Sequence, residues 1–125
     1  MYQVIKSFIC ASAVTEFALV AIDSAGKVAV ASTPTANTII GVAQRAASTG
    51  EPVDVVVFGE TRVIAGGSLT LTSDTVLSVT TAGAVQAAAS THYPVGNTLP
   101  NINQLTASAN DQIVILFNRG LAPLA

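Results

Sequence analysis

The chain offers few side chains that could do chemistry. Its one histidine, His92, stands beside Tyr93 and Pro94, and its one cysteine, Cys10, lies in the apolar run Phe8-Ile9-Cys10-Ala11. Acyl-transfer catalysis needs a nucleophile, a base and a group that orients the base, all meeting in space. The sequence has no second histidine and no nucleophile elbow, so His92 reads as a residue of a surface turn. A lone thiol flanked by apolar residues reads as a small buried hydrophobe, reactive only beside a base or cation. It leaves no partner for an intrachain disulfide, which fits assembly in a reducing cytoplasm. Asp23, Asp54, Asp74 and Asp111 fall near turns and strand starts, where Asp bonds its own backbone. Their spacing fits no loop of dense oxygen ligands for calcium, and nothing pairs two carboxylates for hydrolysis. Gly66-Gly67-Ser68 lacks the Gly-Lys-Ser/Thr and the helix of a phosphate loop, so these glycines read as turn or bulge residues. The expectation is a non-enzymatic protein with no catalytic residue, cofactor, metal or small-molecule substrate.

Composition narrows the partners. Five basic and seven acidic residues give a net charge of −2, and Lys6, Lys27, Arg45, Arg62 and Arg119 are scattered along the chain. Phosphate backbones are held by clustered cations, so nucleic acid is not expected as a partner. Lys6 followed by Ser7-Phe8-Ile9-Cys10-Ala11-Ser12-Ala13 has the loose outline of a signal peptide, but its apolar run is too short for one. Glu16, Asp23 and Lys27 interrupt the richest apolar stretch, so no membrane partner is expected either. Half the residues are apolar while only 10% are charged, well below what a free monomer spends on solubility. That balance suits a subunit whose surface is buried against other subunits.

These sparse polar groups must be positioned by strands. Leu19–Ile22 and Lys27–Ala31 flank the turn Asp23-Ser24-Ala25-Gly26 as a hairpin, and Thr38–Ala43 follows as a strand. Val53–Phe58 is the strongest strand signal, ended by Gly59, with Thr61–Ala65 pairing next. Thr75–Val79 and Ala84–Ala88 flank a second turn, Thr80-Thr81-Ala82-Gly83, and Gln112–Phe117 is the last strand. The halves align: Leu19–Ala31 with Val76–Ala88, Gly41 with Gly96, and Val55–Phe58 with Val114–Phe117. The expected fold is therefore all-β, a compact β-barrel or sandwich built from two similar halves with an N-terminal arm. Residues 1–17 form the arm or an edge strand, and residues 18–125 one β domain with pseudo-repeats 18–59 and 75–117. Two segments stand outside the repeats: the arm, where a helix over Ser12–Val20 is an even alternative, and an enlarged loop over His92–Asn110.

The strings Ala18–Val28, Ile40–Ala43, Gly50–Gly59, Val63–Gly67 and Asn110–Leu116 together resemble the capsid cement, or head decoration, proteins of bacteriophages. The resemblance spans roughly residues 18 to 117 and rests on turn and strand patterns; the His92–Asn110 loop is longer than the pattern. It implies a homotrimer on the outer capsid surface of the virion, assembled in the host cytoplasm. Its partner would be the major capsid protein, and its work the stabilisation of the expanded shell against the pressure of packaged DNA. The capsid contact is expected in the N-terminal segment, at Tyr2, Val4, Ile5 and Phe8, which alternate loosely enough to join a sheet edge. The other reading of that segment is a first core strand. The alternative for the whole chain is a phage tail, fibre or adhesin-type β module.

Overall fold

A computed structural model describes residues 3–35, 38–72, 76–99 and 105–119. Among them the fold is all-β: β1 (Gln3–Ile9), β2 (Leu19–Ile22), β3 (Val28–Val30), β4 (Ile39–Ala43), β5 (Pro52–Ile64), β6 (Leu69–Thr70), β7 (Val76–Val79), β8 (Val85–Ala87), β9 (Gly96–Thr98), β10 (Thr106–Ala107) and β11 (Gln112–Phe117). The main sheet runs β3-β2-β4-β5-β11-β9-β7-β8, with β1 on β5, and β10 pairs separately with β6. Every strand pair is antiparallel.

The long strand β5 organises the molecule. Gly59 does not end it. Its φ of 116° lies where side chains are disfavoured, and the strand turns through this residue and continues. Before Gly59, β5 lies between β4 (Val42 opposite Val56) and β1 (Ile5 opposite Val56). After it, Thr61–Ile64 pair with β11 rather than folding back on Val53–Phe58. With β1 on one edge of Val53–Phe58 and β4 on the other, no edge is left for Thr61–Ile64 to fold back on, so a hairpin at Gly59 is excluded. No helix forms over Ser12–Val20 either. Val14 makes a bridge to Ala47, Phe17 has a φ of 62°, and Leu19 already starts β2.

The sheet curls into two units that share β5. In the first, β3 returns to the residue after β1: Val28 bridges Cys10, and Ala11 N donates to Val28 O at 2.7 Å. In the second, β8 returns to the residue after β5: Val85 bridges Ala65, and Gly66 N donates to Val85 O at 2.8 Å. Each unit encloses its own core. Cys10, Val14, Val20, Val28, Ala47, Val53 and Val55 bury in the first, with Phe8, Ile40 and Val57 packed against them. Ala65, Leu69, Leu77, Val85, Ala107, Ile113 and Ile115 occupy the matching places in the second, with Val63, Val95 and Phe117, so the alignment of Val55–Phe58 with Val114–Phe117 read from the sequence is one residue out. The turns match as well. Asp23 Oδ1 accepts from Ala25 N and Lys27 N, and Thr80 Oγ1 accepts from Ala82 N and Ala84 N. Gly41 and Gly96 hold one further role in common. A Cβ on either would collide with a backbone carbonyl of the next strand, Val56 O or Leu116 O, so each strand pair needs glycine to close.

Candidate docking surface

Several titratable residues are spent on local structure. His92 Nδ1 accepts from Ala89 N at 3.2 Å and lies 2.8 Å from Ser78 Oγ. Because the Ala89 amide can only donate, Nδ1 is an acceptor, Ser78 donates its hydroxyl proton to it, and the ring proton sits on Nε2. The pair ties the loop before β9 onto the buried Ser78 of β7. Asp111 Oδ2 accepts from Ser108 N and Glu51 Oε1 from Ser48 N, each within its own turn. Asp54 is exposed opposite Ser7, and Asp74 lies outside the described residues. Cys10 is buried, and that burial pushes its thiol above the ordinary value of 9.0, with Glu51 adding to the rise and Arg45 opposing it. Among the described residues no group of three His, Cys, Asp or Glu is placed to hold a metal ion, and no pocket is found.

What the surface does offer is β1. Val4 is 41% exposed, Ile5 49% and Ile9 42%, with Phe58 of β5 at 40%. Register sets Val4 opposite Phe58 and Ile9 opposite Pro52, and alternation puts Ile5 and Ile9 on the same face of β1. Of the residues picked from the sequence, Val4 and Ile5 are adjacent in this strip. Phe8 is not part of it; it is half-buried and packs against the first core. Tyr2 lies outside the described residues. Sequence reasoning passed over Ile9 and Phe58. Ile9 carries a signal, being the next apolar residue of the same strand, but Phe58 joins only through a cross-strand register that no local pattern shows.

The matching strand of the second unit sharpens this. The step along the chain that carries Phe8 to Val63 and Cys10 to Ala65 carries Ile5 to Glu60 and Ser7 to Arg62. The fold thus accepts charged residues on this surface in one unit while the other displays isoleucine. An exposed Ile5 is not needed for folding.

No family model matches the sequence, and no curated protein matches it. Among solved structures the chain is similar to the N base of head fiber gp8.5 of bacteriophage phi29, with a TM-score of 0.70. The likeness covers 99% of this chain and 99% of that one, at 17% sequence identity. The two share a fold.

Proposed function

We propose that this protein is a non-enzymatic structural subunit of a bacteriophage head, a cement or decoration protein that docks on the outer capsid surface. The observation that carries the reading is the exposed apolar strip on β1, with Ile5 where the second unit has Glu60, on a fold shared along its whole length with a phage head fiber base. The low charge adds support, since interface centres are depleted of charged residues. Three copies acting as a trimer would bridge neighbouring copies of the major capsid protein. Several weak contacts engaged at once gain about 10²–10⁴ over one, which is how a small subunit would hold an expanded shell against packaged DNA. Val4 and Ile5 make the contact in this reading, with Ile9 and Phe58 completing the strip.

A second reading is favoured by the same neighbour: the chain is the base of a fibre that projects from the head, docking through the same strip but holding a distal element rather than clamping the shell. Both readings are tested by sedimenting the purified chain with heads assembled without it. Saturable co-sedimentation, lost on Val4→Glu with Ile5→Glu in a chain that still unfolds at the wild-type temperature, is the expected result. A chain that never sediments with heads contradicts both readings.

A further inference from the structure

The outer side of β1 leaves a ladder unfinished. Among the described residues β1 pairs with β5 and with no other strand. Along an antiparallel strand the residues bonded to one neighbour alternate with residues whose N–H and C=O turn the other way. The outer side of β1 therefore presents a row of backbone donors and acceptors beside the exposed side chains of Val4, Ile5 and Ile9. Edges of this kind recruit strands, and proteins usually blunt them with charge, bulges or short length. Here the strand is seven residues long, with one register shift, between Val4 and Ile5, and one charge, Lys6 at its middle.

That lysine distinguishes the possible occupants. A second copy pairing antiparallel about the middle of β1 would set Lys6 against its own counterpart. Like charges directly opposite on neighbouring strands are destabilising, whereas opposite charges stabilise. Self-pairing is therefore penalised at its centre, while a foreign strand with a carboxylate at that position is rewarded. Exposed apolar residues lie on both sides of Lys6, Val4 and Ile5 before it and Ile9 after it, and favour apolar residues flanking the carboxylate.

We infer that β1 is an acceptor edge for one extended strand of a different polypeptide, whose apolar residues flank a carboxylate facing Lys6. Resting on the function proposed above, that polypeptide is the protein of the capsid shell. The added strand continues the sheet outward from β5 through β1, so backbone hydrogen bonds supply affinity while Ile5 and Lys6 supply register. The second unit offers no equal site, because Glu60 and Arg62 stand where Ile5 and Ser7 stand in β1.

The test is amide hydrogen exchange on the full chain, free and bound to heads assembled without it, alongside affinities of three variants. Binding is expected to slow exchange at alternate residues between Val4 and Ile9. Lys6→Glu should weaken binding about tenfold, Lys6→Arg should keep wild-type affinity, and Ile5→Glu, which copies the second unit, should weaken it as Lys6→Glu does. Both positions are exposed, so wild-type unfolding temperatures are expected and exclude a folding defect. Unchanged exchange in β1 while the chain is bound, or equal binding by Lys6→Glu, overturns the strand inference and leaves docking through another face. Concentration-dependent protection of β1 in the free chain also overturns it, since the occupant is then a second copy. No binding by the wild-type chain overturns the head reading and this inference with it.

Discussion

The two curled units have the same strand circuit, yet their outer surfaces are built for different neighbours. On the first unit, Leu19, Ala31, Ile39 and Val42 face outward from its own core and are buried in the larger cluster, against the second unit. The second unit seals this contact with its turn: Gly83 O accepts from Leu19 N at 2.9 Å, and Gly83 packs against Val30 and Ala18. Arg119 Nη1 donates to Ile39 O at 3.1 Å and Tyr93 N to Pro34 O at 2.8 Å, closing the same seam. The corresponding surface of the second unit carries Val76, Pro94 and Asn97, and the corresponding turn of the first carries Asp23 and Lys27 in the open. Where nothing follows, the second unit carries Asn97 in the place of the buried Val42, although Val76 stays apolar and exposed. Val4, Ile5 and Ile9 of β1, with the facing Phe58, gather exposed apolar side chains on one strand pair, whereas Val76 and Leu105 are exposed singly elsewhere.

Four substitutions or pairs would break or sharpen this comparison, from the largest effect down. Phe117 is fully buried in the second core, while Val57 in the matching place is half-buried. Phe117→Ala should cost about 3–5 kcal/mol and Val57→Ala about 1 kcal/mol by chemical denaturation; equal losses would mean that the two cores are not alternatives of one plan. Val42→Asn should cost about 3 kcal/mol, since it buries an amide in the seam. Asn97→Val, at the matching exposed position, should stay within about 0.5 kcal/mol. A large effect of Asn97→Val would show that the second unit's outer surface is not free. Gly41→Ala and Gly96→Ala should each cost about 1–3 kcal/mol by forcing the strand pair apart, and by similar amounts in the two units.

The smallest effect separates the units by pH. Cys10 has its thiol pushed up by burial, and its counterpart, Ala65, does not titrate. The unfolded chain releases this proton first, so folding stability should be full below the ordinary thiol value of 9.0 and decline as pH rises through the higher folded value. Cys10→Ala, which writes the second unit's residue into the first, should flatten that decline in denaturation midpoints taken between neutral and alkaline pH. A decline of the same size in the variant would assign it to other groups.

Much of this was legible in the residues. The paired turns Asp23–Lys27 and Thr80–Ala84 show because their side chains cap the same amides, and Gly41 and Gly96 show because no other residue fits against the neighbouring carbonyl. Gly59 misled because a glycine after an apolar run reads as a strand end, whereas here its positive φ lets one strand serve two units. The matching of β1 with the second half of β5 was hidden, since Lys6 and Ser7 in one share no residue type with Thr61 and Arg62 in the other. At the docking strip, local alternation pointed to Val4 and Ile5, but the inward turn of Phe8 and the arrival of Phe58 depend on register. Register is a property of two strands, and one strand's sequence does not contain it.

The most direct measurement is the number of copies of this protein per purified virion, by quantitative mass spectrometry against the major capsid protein. A ratio approaching one to one is the result a shell-covering cement protein predicts. A handful of copies would contradict that reading in favour of a fibre or tail base, and complete absence from virions would contradict a structural role in the phage head altogether.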